Sequence, residues 1–395
     1  MEAVEDIVIV GAGIAGLTTA LGLHRLGLRS LVAEASDGLR TTGFAFLTWT
    51  NAWRALDAVG IGEPLRQQHN QLSRLQTTSE VSGHPTAERQ FDATGPQRGH
   101  EFRCVQRRTL LETLMNELPS GTVRYSSKVV SIEESGYSKL VHLSDGSSLK
   151  AKVLIGCDGV NSAVTKWLGF KKPAFVGRFS IRGSAYYHGH GFEPEYVRYK
   201  AEGVRLGAIA CDEKSIYWFF TFSSSSKNEE MEGSPAKTKQ FVLSKLGNIP
   251  DNVRAIIEKT EPANIILSPL RFRHPWEIML GNISKTNVCV AGDAFHPMTP
   301  DIGQGACSAL EDGIVLARCL GEALRDKQGM SSEEYYAKER RWRAFKLIST
   351  AYTVGYIEQS NGKVLSFLRD RVLASFLAGL PLKMASYDCG KLRAS

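Results

Sequence analysis

Three glycines at positions 11, 13 and 16 follow a short β-branched run, Ile7 to Val10, and lead into a helical pattern carried by Leu17, Leu21 and Leu23. That spacing suits one chemistry. Gly11 permits a tight turn, Gly13 lets backbone approach a diphosphate, and Gly16 lets the helix pack closely on the strand. The N–H groups at the helix start, among them those of Ile14 and Ala15, then face the phosphates. A second strand, Arg29 to Ala33, ends at Glu34, with Ala35 beyond it. An acid about 20 residues past the first glycine is placed to hold a ribose hydroxyl. Strand, glycines, helix, strand and acid in this order predict a dinucleotide site. The sequence holds no second fingerprint of this kind, so a second dinucleotide would have no domain of its own.

Two later motifs place further carboxylates at strand ends. Asp158-Gly159 follows Val153 to Ile155, and Gly292-Asp293 follows Val288 to Ala291 within GDAFHPMTPDIGQG. A helix rich in small residues is predicted from about Gly305 to Leu324, and its free N–H groups favour negative charge at its start. The run Tyr217-Trp218-Phe219-Phe220-Thr221-Phe222 reads as a strand. Alternation then puts Tyr217 and Phe219 on one face and Trp218, Phe220 and Phe222 on the other, one lining a pocket and one facing core. His188 and His190, flanking Gly189, could meet a substrate phenol or carboxylate, or form an exposed turn. No Ser–His–Asp set and no metal-ligand spacing emerges.

These residues need a scaffold, and the composition allows a large one. The chain has 395 residues, 43% apolar and 23% charged, which suits one large domain or two to three smaller ones. Lys and Arg number 48 against 41 Asp and Glu, a formal charge of +7, weak grounds for a nucleic-acid partner. The densest basic stretch, Lys338 to Lys346, reads as the solvated face of a helix. Seven cysteines without a C-x-x-C spacing suit buried thiols in a reducing compartment. With no secretory leader pattern and no long apolar span, a cytoplasmic protein is expected.

Along the chain, a helix is predicted from Phe102 to Leu118, and strands over Val123 to Glu134 and Leu140 to Leu143. Beyond Lys171, short runs over 178–187, 196–199, 206–211 and 216–222 predict an antiparallel sheet inserted into the first domain. Ser223 to Lys239 is polar and reads as a solvent-facing connection. An apolar stripe from Val364 to Leu377, with Lys363, Arg369 and Arg371 beside it, reads as a covering helix that could also lie on a membrane surface or bind a partner.

Taken together, Gly11-x-Gly13-x-x-Gly16, Asp158-Gly159 and Gly292-Asp293 resemble the single-component FAD-dependent aromatic hydroxylases, the group A flavoprotein monooxygenases. The segment RTTGFAFLTWTNAWRALDAVG looks most like plant enzymes related to salicylate hydroxylase and zeaxanthin epoxidase, and the resemblance spans roughly residues 5 to 325. It implies an α/β fold like that of p-hydroxybenzoate hydroxylase. A Rossmann-like FAD-binding domain (1–75, 100–170 and 280–325) would be interleaved with an antiparallel substrate domain (76–99 and 171–279), followed by C-terminal helices (326–395). It implies that NADPH or NADH reduces FAD and that O₂ yields a flavin C4a-hydroperoxide. That species would hydroxylate or epoxidise a small aromatic or isoprenoid-like substrate. A flavin oxidase, dehydrogenase or non-oxygenating flavin-binding protein is the alternative, since the motifs specify FAD better than oxygenation.

Residue by residue, the resemblance gives Glu34 the adenosine ribose and Asp293 the ribityl hydroxyls. It brings Arg107 to the cofactor and gives Asp158 and Gly159 a supporting role, while Arg40, just before Gly43, reads as touching FAD, as lining the nicotinamide route or as a surface charge closing a loop. Val130 joins the expected cofactor contacts. Pro300, Gly303, Gln304, Gly305 and Ala306 form the loop beside the isoalloxazine. The Arg that usually follows Ser162 is missing, and Lys166 is its nearest substitute. Pro300, Gly303, Phe219, Tyr217 and His188 are the candidates for surrounding the reacting atoms. A monomer or weak homodimer is expected.

Overall fold

The computed structural model describes residues 4–79, 85–91, 99–186, 189–201, 203–223, 233–247, 249–325, 332–359 and 374–393. The chain opens with β1 (Val4–Val10), α1 (Ile14–Arg25), β2 (Leu31–Ala33), β3 (Ala45–Trp49), α2 (Thr50–Ala58) and α3 (Gly62–Arg66). It continues through β4 (Arg74–Ser79), β5 (Pro85–Gln90), β6 (Phe102–Gln106), α4 (Arg107–Asn116), β7 (Val123–Arg124), β8 (Val129–Ser135), β9 (Ser138–Leu143), β10 (Ser148–Gly156) and α5 (Ala163–Trp167). Next come β11 (Ala174–Tyr186), β12 (Glu195–Ala201), β13 (Val204–Ala210), β14 (Ser215–Ser223), α6 (Pro235–Ser244), α7 (Asp251–Lys259), β15 (Ile265–Phe272) and α8 (Pro275–Leu280). The last elements are β16 (Ser284–Lys285), β17 (Val288–Val290), α9 (Gly305–Arg325), α10 (Ser332–Gln359) and α11 (Ala374–Met384).

The first sheet runs β16-β17-β10-β1-β2-β7, with the β8–β9 hairpin joined to β10 through β9. β1 pairs in parallel with both β10 and β2, and β10 with β17. Val8 and Ile9 are fully buried, as expected of a β-branched central strand covered on both faces. Glu34, Cys157-Asp158 and Ala291 to Asp293 follow the carboxyl ends of adjacent parallel strands, where open α/β sheets bind ligands.

The second sheet runs β15-β11-β14-β13-β12-β4-β5. It is antiparallel except that β12 lies parallel to β4, so the sheet is mixed rather than wholly antiparallel. One face packs Ile181, Leu206, Trp218 and Phe220 against Val242, Val253, Ile256 and Ile257 of α6 and α7. On the other face Tyr196, Ile209 and Tyr217 join the core of the first domain, and Phe219 packs against it. The strand alternation therefore separates the aromatic run as its spacing predicts.

Two element assignments also need correction. Phe102–Gln106 is strand, pairing antiparallel with β3, because Phe102 and Cys104 find a buried partner surface there and the helix starts only at Arg107. The connection predicted over Ser223 to Lys239 gives way to α6 from Pro235, where Thr238 and Val242 are buried. Most of the apolar stripe, residues 364–373, lies outside the described residues, as does His188.

Candidate active site

The glycine turn is built as its chemistry requires. Gly11 has φ of +101°, and a Cβ there would sit 2.6 Å from the Cys157 carbonyl oxygen. A Cβ on Gly16 would sit 2.0 Å from the Gly11 carbonyl oxygen, whereas one on Gly13 would meet nothing within 4 Å. Two glycines thus close the turn and the third leaves its outer side open. α1 starts at Ile14 without a side-chain cap, so the N–H groups of Ile14, Ala15 and Gly16 have no intrahelical partner. Buried Glu34 accepts the N–H of Ala12 at 2.7 Å and of Ser36 at 2.9 Å, which ties the acid to the turn. Its backbone carbonyl accepts the Ser127 N–H at 2.7 Å, drawing the start of β8, with exposed Val130, alongside exposed Ala35.

Asp158 accepts the Ala163 N–H at 2.7 Å through Oδ2, while its buried Oδ1 has no partner. Burial pushes its carboxyl up. Gly159 follows with positive φ, and Lys166 lies exposed in α5.

Asp293 is exposed in a turn after β17, and the preceding Gly292 donates its N–H to Asp312 at 2.7 Å. Exposed Pro300 begins a second turn that ends in left-handed Gly303 (φ +62°), after which α9 begins at half-buried Gly305 and Ala306. Gln304 accepts from Asn51 at 2.8 Å and keeps a buried Nε2 with no partner. Arg107, at the start of α4, donates Nε to the Arg40 carbonyl at 3.3 Å and its backbone N–H to Phe44 at 2.7 Å. Burial lowers the Arg107 pKa; the Asp293 charge opposes this, and the Arg182 and Arg40 charges reinforce it. Segments around 40, 107, 182 and 293 therefore meet at one place. An open glycine turn, a buried acid tied to it, two unpaired polar atoms at Asp158 and Gln304 and an exposed Asp293 fit a long, polyhydroxylated dinucleotide.

A family model for an FAD-binding domain matches residues 5–351. Monooxygenase 2 of Arabidopsis thaliana is 50% identical, covering 99% of both chains; Monooxygenase 1 of the same plant is 36% identical, covering 98% of this chain and 99% of the relative. The chain is a group A FAD-dependent monooxygenase. Its fold is also that of Klebsiella pneumoniae HpxO in complex with FAD and uric acid, with a TM-score of 0.84, 22% identity and 98% of both chains covered.

The monooxygenase supports its 292–306 loop with groups that composition and spacing did not reveal. Arg340 and Arg343, in the basic stretch expected to be solvated, are buried. Helical spacing turns them inward while Lys338 and Lys346 stay exposed. Arg340 bonds Asp312 and Glu311, both at 2.6 Å, and Arg343 bonds Glu311 at 2.7 Å. Buried His296 meets the same Asp312 at 2.6 Å. Burial pushes the Asp312 carboxyl up, but His296 and Arg340 pull it down to about 2. Glu311 also takes the Asn51 amide that holds Gln304, so α10 braces both turns of the 292–306 loop from behind.

A second network links that loop to the substrate sheet. Asp301, between Pro300 and Gly303, pairs with Arg178 of β11 at 2.9 and 3.1 Å and with Arg205 of β13. Arg205 also meets Glu358 of α10, which takes Lys200 at 2.9 Å. Burial pushes Asp301 and Glu358 up, yet the surrounding cations hold both below the usual carboxylate range. On the same face, Tyr217 has its hydroxyl pKa raised by burial, against the nearby Arg182 charge. Phe219 lies over Gly207, where a Cβ would approach its ring to 2.4 Å. The only sequence signal for Arg178, Arg182 and Arg205 is their even or odd position in alternating strands.

Proposed function

We propose that this monooxygenase draws electrons from NADH or NADPH and oxygenates a small aromatic or isoprenoid-like substrate held between the Tyr217–Phe219 face and the 292–306 loop. The supporting observation is that face itself. Register puts Tyr217 opposite Ser184 and Phe219 opposite Arg182, and the aromatic pair turns toward the FAD-binding core rather than toward α6 and α7. Bound FAD supplies the redox chemistry and the activation of O₂. The chain's residues would do the rest: the Gly11–Gly16 turn and Glu34 would hold the adenosine end, Asp293 and Arg107 the middle, and the loop from Pro300 to Ala306 the flavin end.

The wall of Tyr217, Phe219 and buried Ile209 excludes water from the reacting centre. No side chain is assigned as a base, and none is needed where the substrate is already electron-rich. Lys166, exposed on α5, is proposed to meet the reducing coenzyme in place of the missing Arg. The enzyme is read as cytoplasmic, which rests on its seven buried cysteines. Among the described residues no helix is long and apolar enough to cross a membrane.

The test is oxygenation under ¹⁸O₂ with NADH or NADPH and a panel of phenols, aromatic acids and isoprenoids. One labelled atom in the product and one in water supports the proposal. Oxidation of coenzyme without label in any product would replace it with a flavin oxidase. Lys166→Ala is expected to raise the coenzyme KM while leaving FAD content unchanged.

A further inference from the structure

The outer surface shared by α8 and α10 carries a run of exposed rings. On α10 these are Tyr335, Trp342, Tyr352 and Tyr356, while Ala344, Leu347, Ile348 and Ala351 turn inward and are buried. Tyr335, Trp342 and Tyr356 stand at multiples of seven residues, or whole pairs of helical turns, so they keep to one face. Tyr352, four residues before Tyr356, widens it. The stripe runs roughly 30 Å at about 1.5 Å per residue.

α8 is fastened alongside at both ends. Arg341 donates Nη1 to the carbonyls of Ile278, Met279 and Gly281 at 2.6, 3.0 and 2.9 Å, closing the end of α8 against α10. At its start Tyr352 stacks on Phe272 with ring centroids 4.8 Å apart, Phe272 meets His274 at 4.7 Å, and His274 stacks on Trp276 at 4.2 Å. Held this way, Trp276 and Leu280 are 57% and 84% exposed. A single exposed apolar side chain means little. A joined set of indoles, phenols and a leucine marks a surface that something covers.

The charges around the rings decide what covers them. Lys171 and Lys172 follow Phe170, whose ring lies 2.4 Å from where a Cβ would stand on Gly281 at the end of α8. Lys338 and Lys346 stand one turn before and after Trp342 on α10, and all four lysines are exposed. Glu277 already pairs with Arg273 at 3.4 Å and Glu339 with Arg318 at 2.7 Å, and Glu334 stands exposed in the first turn of α10. The rim is therefore positive. Tryptophan and tyrosine combine an apolar body with a polar tip, and lysine stems let a charge reach past apolar contacts. That combination suits the headgroup layer of a bilayer. A second copy of this chain, paired face to face, would set lysine against lysine.

We propose that the α8–α10 face docks on an anionic phospholipid bilayer. Trp276, Leu280 and Trp342 rest among the headgroups, and Lys338 and Lys346 meet lipid phosphates. The contact is peripheral, and because exposed charges carry part of it, salt weakens it.

The experiment mixes the FAD-loaded full chain with vesicles of three parts phosphatidylcholine to one part phosphatidylserine, and with vesicles of phosphatidylcholine alone, and reads the bound fraction by flotation. The expected result is binding at least tenfold tighter to the anionic vesicles, weakened by added salt. Trp276→Ser combined with Leu280→Ser, and separately Lys338→Glu combined with Lys346→Glu, should each lose at least tenfold in that affinity. FAD content and Tm, which these exposed positions should not move, show that each variant is folded. Binding to neither vesicle, equal binding to both, or binding that both variant pairs retain overturns the proposal. A dimer in analytical ultracentrifugation that Trp276→Ser with Leu280→Ser returns to monomer, in place of vesicle binding, overturns it in favour of a second copy.

Discussion

Replacing Arg340 with methionine tests whether the buried ion network behind the 292–306 loop is what holds α10 to the FAD-binding domain. The side chain is fully buried and bonds Asp312, Glu311 and the Ser308 carbonyl and hydroxyl. Arg343 would still serve Glu311, so the loss falls mainly on Asp312. Removing one partner of a buried pair costs about 3–5 kcal/mol, because the other charge is left uncompensated. At about 2 cal/mol/K of unfolding entropy per residue over 395 residues, this corresponds to a fall in Tm of ~4–6 °C if the chain unfolds as one unit.

The pH dependence gives the sharper check. Asp312 is held down from an ordinary 3.8 to about 2, so its contribution is fully present above pH 3.8 and is lost as pH falls toward 2. That difference is worth roughly 2–3 kcal/mol. In Arg340→Met, burial acts on Asp312 with less opposition and raises its pKa, so the variant regains stability as the carboxyl takes up a proton. The gap between wild type and variant should therefore be widest at pH 7 and narrower at pH 4.5. Thermal melts followed by near-ultraviolet circular dichroism, with both proteins saturated in FAD, measure it. An unchanged Tm at pH 7, or a gap that widens on acidification, would refute the reasoning.

Gly11→Ala should lose most of its FAD, since the added methyl meets the Cys157 carbonyl at 2.6 Å on a backbone with φ of +101°; flavin content after gel filtration reports it. Phe219→Ala should retain FAD but oxidise coenzyme with little product, and wild-type coupling would remove Phe219 from the substrate wall. Cys104 of β6 and Cys211 after β13 bring their sulfurs to 3.0 Å although they belong to different sheets. Diamide should therefore join them into a disulfide, a loss of two hydrogens detected by non-reducing peptide mapping. Burial and the Cys211 hydrogen bond push the Cys104 thiol up, so the reaction should quicken with rising pH.

Much of the candidate cofactor site's local geometry is legible in the sequence because it depends on neighbouring residues. A turn that must take positive φ at Gly11, a helix that must start uncapped at Ile14, and a carboxylate that must follow a strand end at Glu34 or Asp293 are properties of a few consecutive residues. The strands from 178 to 222 are legible for the same reason, since alternation is a local period. Tertiary structure alone decided which face of those strands meets the FAD-binding core, because period 2 separates two faces without saying what covers either. It decided that Phe102–Gln106 is strand, because β3 supplies the partner. It also decided that Arg340 and Arg343 turn inward, and that Asp301 meets Arg178 and Arg205 while Arg205 reaches on to Glu358. Each of these is a match between segments far apart in the chain. Charge on one segment is costly to bury until the opposite charge on the other arrives, and neither segment carries a sign of its partner.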